Sequence, residues 1–151
     1  LAAELPKQKF DVIITSAFTH SEYVDSSATA VTAGFVEAWK TQAGGARVIA
    51  IADNPDMQDD PNKCLRSDPV SCDRPRSEVL DGPDSLVAAA RESGNTSVDF
   101  TDVFCGADQC SPVISGADVY RDENHLTVTF ANTTIFRLQP AIIVALELGR
   151  N

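Results

Sequence analysis

Apolar residues along the chain switch period several times, and each switch marks an element. "FDVIITSAF", residues 10–18, is a nearly unbroken apolar run. Such a run predicts a buried strand of a parallel sheet. Val31, Phe35 and Trp39 then recur every four residues, behind Ser26 or Ser27 and ahead of Gly44 and Gly45. That spacing predicts a helix with one apolar face, a serine cap and a glycine stop. Val48 to Ala52 is a second apolar run, ended by Asp53, Asn54 and Pro55. From Pro55 to Pro83 the chain is polar and proline-bearing, which predicts a long irregular insertion. "DSLVAAARESG" predicts a short helix, with Asp84 as its cap and Gly94 at its end. Val98, Phe100 and Val103 in "TSVDFTDVFC" predict a third strand. A helix through "AIIVALELG" closes the chain, with Pro140 expected to kink it or to start its second half.

Strands alternating with helices predict an α/β fold: a three-layer αβα arrangement around a parallel sheet. Sites in such folds lie at the carboxyl ends of the strands. The loops after Ala17, Ala52 and Cys105 all leave from that edge. The loop that follows the last strand carries Asp122 and, three residues later, His125. An imidazole can take and return a proton near neutral pH, and works better when a carboxylate holds one ring nitrogen. Alone, the D-x-x-H spacing is weak evidence, because one polar turn with a surface histidine would look the same.

Charge and cysteines narrow the class. The 151 residues carry a net charge of −10, which opposes binding to nucleic acid or to an anionic membrane surface. No apolar run reaches the ~20 residues of a membrane span. The first ten residues lack a signal-peptide pattern, and no initiator Met is present, so the chain is expected to be a mature piece or a fragment of something longer. The four cysteines stand as Cys64 with Cys72 and Cys105 with Cys110. Three pairings are open. Both spacings are too wide for the tight pairs of a zinc site. Two local disulfides are favoured over four free thiols, which implies an oxidising compartment, the periplasm or the cell exterior.

The run from Val98 to Asn132 carries more. An Asp-bearing strand end, Cys105 and Cys110, a turn at Gly116, Tyr120-Arg121-Asp122 and Asn124-His125-Leu126-Thr127 stand in succession before the last helix. This succession resembles the carboxyl end of SGNH-type acyl-ester enzymes. More narrowly, it resembles the SGNH domain attached to bacterial membrane acyltransferase family three proteins, which O-acylate surface glycans. "DVIITSAF" and the loop carrying Cys64 fit the same resemblance. The resemblance implies a flavodoxin-like SGNH fold lacking its first strands, so that residues 1–151 form a single, partial SGNH-type domain. It implies His125 as general base and Asp122 as the group that orients it. It implies no cofactor and no metal. The expected partners are a glycan or acyl-ester substrate and an integral membrane acyltransferase, fused or associated. The expected location is the periplasmic or extracellular face, tethered through an amino-terminal part.

The family's nucleophile is a serine in a Gly-Asp-Ser motif after the first strand, and this chain opens at what would be the third. "GPDSL" is no substitute, because N-capping explains Asp84 and Ser85. Ser16 stands where the family's third block helps form the oxyanion hole, but Gly-x-Asn is replaced by Ser16, Ala17 and Phe18. The chain by itself is therefore expected to be inert. Its first strand is expected to present a sticky edge, since its partner would lie before Leu1.

Other features read as ordinary surface. His20 is a loop histidine before it is a substrate contact. Asp53, Asp56, Asp59 and Asp60 lack the calcium-loop pattern and read as a solvated acidic loop. Arg74 and Arg76 read as surface ion-pair partners before anion receptors. Asn95 and Asn132 match a glycosylation pattern that carries little weight here, and Phe35 and Trp39 read as core. Three functions compete: an O-acyltransferase domain, a free-standing SGNH carbohydrate esterase and a non-catalytic glycan-binding relative.

Overall fold

The computed structural model describes residues 9–19, 27–68, 71–80 and 82–147. His20 and Ser26 lie outside the described residues. In chain order the elements are β1 (Val12–Thr15), α1 (Ala28–Gln42), β2 (Arg47–Ile51), α2 (Pro61–Ser67), β3 (Arg74–Pro75), α3 (Arg76–Val79) and α4 (Ser85–Glu92). After them come β4 (Thr96–Val98), α5 (Thr101–Phe104), β5 (Gln109–Cys110), β6 (Val113–Ile114), β7 (Ala117–Asp118) and α6 (Val128–Glu147). The chain is α/β, and its largest sheet is parallel. It forms two compact units.

The first unit is Leu1–Asp53, Pro83–Asp99 and Pro140–Asn151. Its sheet has the order β1-β2-β4, with Ile14 beside Ile49 and Ile49 beside Thr96. The central strand β2 is the dry one, and Val48, Ile49 and Ala50 are fully buried. Strand β1 lies at the edge of this three-stranded sheet with Ile14 49% exposed, which fits the sticky edge expected of it and not the buried strand that its apolar run alone suggests. An edge strand has a neighbour on one side only, so an apolar run on it cannot be covered from both. Helix α1 starts where Ser27 Oγ accepts the Ala30 N–H at 3.2 Å. Phe35 and Trp39 stack at 6.1 Å between ring centres and pack over Ala50, Leu86 and Ala90. Asp84 caps α4 by accepting from the N–H groups of Leu86 and Val87, as its position predicts. Its other oxygen accepts the Asp53 N–H at 2.9 Å, so one carboxylate ends β2 and starts α4. Ser85 is buried and its hydroxyl donates to Ala28 O at 3.4 Å, a structural role.

The second unit is Asn54–Gly82 and Phe100–Gln139. Two expectations change here. The third strand stops at Val98, and Thr101–Phe104 is a short helix. Phe100, Val103 and Phe104 have the three-and-four spacing of a helix face, and all three pack into this unit's core. The stretch from Pro55 to Pro83 is not irregular, since it holds α2, β3 and α3. Asp60 caps α2 through the Asn62 N–H, with Pro61 at a first-turn position that needs no donor. Arg74 and Pro75 pair antiparallel with Cys110 and Gln109.

Met57, Val79, Phe104, Val119, Tyr120 and Phe130 form the centre of this unit. Both local disulfides are present, Cys64–Cys72 and Cys105–Cys110, and no described cysteine is free. The Gly116 turn joins β6 to β7 with Ser115 and Gly116 both at positive φ, 52° and 78°. A two-residue hairpin connection of this twist requires that geometry. Thr127, just before helix α6, caps it with a hydroxyl that accepts the Phe130 N–H at 3.1 Å, and the helix runs through Pro140 as one element.

Candidate functional site

The loop between β7 and α6 is a tight excursion. Tyr120 and Leu126 face each other in an antiparallel bridge, and Arg121 N–H donates to His125 O at 2.7 Å. Tyr120 anchors the loop because its ring is buried beside Phe104, at 6.5 Å between ring centres. Within the excursion, Asp122 folds back on the residues that follow it. Its Oδ1 accepts the N–H of His125 at 2.8 Å and that of Asn124 at 3.2 Å. Aspartate is suited to this local turn because its short side chain reaches backbone donors two and three residues ahead.

That turn brings the imidazole to the carboxylate. His125 Nδ1 lies 2.9 Å from Asp122 Oδ1 and 3.0 Å from Oδ2. A carboxylate accepts only, so Nδ1 carries the proton and Nε2 presents its lone pair. No described residue bonds Nε2, and the His125 side chain is 66% exposed against 32% for Asp122. The Asp122 carboxyl is lowered to about 2. The chief cause is the backbone N–H of His125. Burial opposes it, and the Asn124 N–H and the imidazole add to it. Arg121 Nε stands 3.7 Å from Oδ2, a loose and exposed ion pair.

The excursion is held from outside by one short segment. Asn54 Nδ2 donates to Asn124 O at 2.7 Å, Met57 N–H to Glu123 O at 2.8 Å, and Asn62 Nδ2 to Arg121 O at 2.9 Å. Asn54 and Met57 lie in the stretch read above as a solvated acidic loop; that reading holds for Asp59, whose side chain is 90% exposed, and is corrected for Asp53, Asp56 and Asp60. Asp53 accepts from Thr19 N–H at 2.7 Å, Asp56 from Gln58 N–H at 2.7 Å, and Asp60 caps α2. Asp59 faces Arg74 at 3.7 Å. Asp56 and Asp60 fix local turns and Asp53 ties to a residue 34 positions away, and none of this was legible in a run of acids. Asn54 and Asn62 carried no signal in the sequence beyond their side chain's ability to donate and accept.

The remaining candidates separate plainly. Arg74 pairs with Glu78 at 3.2 Å, and Arg76 with Asp102 at 3.7 Å and with Gly106 O at 3.0 Å, so both arginines hold structure. Ser16 is exposed after β1. A cavity of about 400 Å³ lies beside α2, lined among others by Met57, Asp60, Lys63, Cys64 and Arg74. Tyr120 contributes one oddity: its hydroxyl is buried with no hydrogen-bond partner among the described residues. Burial, and then the negative charge of Asp56, push its pKa far above that of the ordinary phenol, so the hydroxyl stays protonated. Among the described residues no three groups converge as a metal site, and no helix is long and apolar enough to cross a membrane.

Comparison with known proteins bears on the family and the fold. A family model described as "SGNH domain (fused to AT3 domains)" matches residues 1–135. A comparison with curated proteins finds no match. Among solved structures, the periplasmic domain of a lipopolysaccharide acetyltransferase from Salmonella ser. Paratyphi A is similar, with a TM-score of 0.65. Identity is 14%, over 94% of this chain and 60% of that one, so the likeness is one of fold and this chain spans about 60% of the neighbour's length.

Proposed function

Because the chain belongs to the family of SGNH domains fused to AT3 domains, we propose that it is the histidine-bearing part of an extracytoplasmic acyl-transfer domain. The observation that carries this reading is the pairing of His125 Nδ1 with both oxygens of Asp122, which leaves Nε2 open to solvent. On this reading the acylated group is the serine of the family's Gly-Asp-Ser motif, which does not occur in these 151 residues. As the serine oxygen attacks the acyl carbonyl, Nε2 takes the hydroxyl proton. Asp122 stabilises the imidazolium and stays ionised. The proton passes to the leaving group and an acyl-enzyme remains. A glycan hydroxyl then gives its proton to Nε2 and attacks that ester, and the serine is regenerated.

On this reading the acyl group is acetyl, and the acceptor a hydroxyl of a cell-surface glycan. Two disulfides in a domain of this size suit an oxidising compartment, which supports a periplasmic or extracellular location. The partner on this reading is a membrane-integral AT3 domain that delivers the acyl group. No cofactor takes part, since proton transfer and covalent catalysis suffice.

The test is His125→Ala in the protein carrying its AT3 domain, with glycan acylation measured by mass spectrometry. Acylation should fall to background while the variant stays folded. Retained acylation would remove the base assignment.

A further inference from the structure

We propose that Asn62, assisted by Asn54, is a positioning residue that aims His125 by gripping the backbone of its loop. This rests on His125 acting as the base, but the geometry it claims can be tested without any turnover.

The need for a grip follows from exposure. With the imidazole two-thirds exposed, side-chain packing does not define where the ring points. Its direction is set by the Asp122 turn, and that turn is only as fixed as its backbone. Three of the excursion's carbonyls, those of Arg121, Glu123 and Asn124, are each taken by a donor from the segment Asn54 to Asn62. One of these donors, the Met57 N–H, belongs to the backbone and places no demand on the side chain. The other two are carboxamides, and those are choices of the sequence.

Asn62 is the more constrained. Its Nδ2 lies 3.0 Å from Asp60 Oδ1, 2.9 Å from Arg121 O and 3.4 Å from Tyr120 O. All three neighbours are acceptors, so only an NH2 group can face them. Asp60 is itself fixed, because the same Oδ1 accepts the Asn62 N–H at 2.9 Å. The cap of α2 thus aims the carboxamide, and the carboxamide holds the loop on the residue before Asp122. An aspartate here would set a carboxylate against three oxygens. An alanine would release Arg121 O to water.

The experiment uses this chain, with carboxyl and amide NMR on Asn62→Ala, Asn62→Asp and Asn54→Ala, and unchanged spectral dispersion as the check of fold. In Asn62→Ala the Asp122 carboxyl should titrate about one pH unit or more higher than in the unsubstituted chain, since the His125 N–H no longer sits squarely on Oδ1. The His125 amide should exchange at least about tenfold faster. Asn62→Asp should do both more strongly, and Asn54→Ala less. In the protein carrying its AT3 domain, Asn62→Ala should lower kcat with KM unchanged. An unaltered Asp122 titration and an unaltered His125 amide in both Asn62 variants would overturn the proposal. Should Asn62→Asp misfold, Asn62→Ala and Asn54→Ala decide it alone. If His125→Ala retained acylation while these shifts still appeared, the base assignment would fall and the grip would stand.

Discussion

Asp122→Asn probes the pair without dismantling its turn. The Asn Oδ1 can still accept the His125 and Asn124 N–H groups now at 2.8 and 3.2 Å. The change falls on the second oxygen, which lies 3.0 Å from Nδ1 and becomes an NH2 group. A donor there opposes the Nδ1 proton, which only Oδ1, at 2.9 Å and already accepting two N–H groups, could still accept, so the imidazole proton shifts toward Nε2 and the proposed base is weakened. Where a buried triad suffers this inversion the rate falls about 10⁴-fold. Here the pair is partly exposed, and water competes for both ring nitrogens. We therefore expect a fall of about 10²- to 10⁴-fold, on the order of 3–5 kcal/mol in the barrier. Asp122→Ala, by contrast, removes the turn's acceptor as well, and should also free the His125 amide to exchange. The assay is acyl transfer by the protein carrying its AT3 domain, alongside imidazole ¹⁵N shifts in this chain. A variant within about threefold of the parent rate, or an imidazole that keeps its proton on Nδ1, would refute the tautomer argument.

Two further outcomes follow from single groups. The Asp122 carboxyl titrates lower when folded, so its contribution is present above the ordinary value of 3.8 and lost as pH falls through about 2. His125 amide exchange should accordingly quicken across that window, while amides of strand β2 stay protected. Tyr120→Phe removes a buried hydroxyl that has no hydrogen-bond partner among the described residues. An unsatisfied buried group costs roughly 1–3 kcal/mol, so urea denaturation should show the variant as stable as the parent or about 1 kcal/mol more so. A loss of that size instead would mean the hydroxyl is satisfied in solution.

The signals that succeeded were local ones. Val48 to Ala52 are apolar on both faces, and a strand buried on both faces has no other use for such a run. Ser27 and Asp84 announced helix starts because a cap acts on the next three residues alone. The same locality made the Asp122–His125 pair legible, since its bonds span three residues. Both cysteine pairings were readable because each closes a loop within one short stretch.

What the tertiary structure alone decided is whatever depends on a distant partner. The apolar run around Ile14 reads by itself as buried, yet Ile14 is half exposed, because burial of a strand depends on which neighbours flank it; the edge was anticipated from the family resemblance and not from the run. Val98 and Phe100 alternate as a strand would. The core that receives Phe100, Val103 and Phe104 instead turned the following residues into α5. Asn54 and Asn62 look like any loop polar residues. Their meaning lies in the carbonyls of Arg121 and Asn124, some sixty to seventy positions away, which they meet only after folding. A side-chain hydrogen bond carries no periodicity, so no pattern along the chain can announce it.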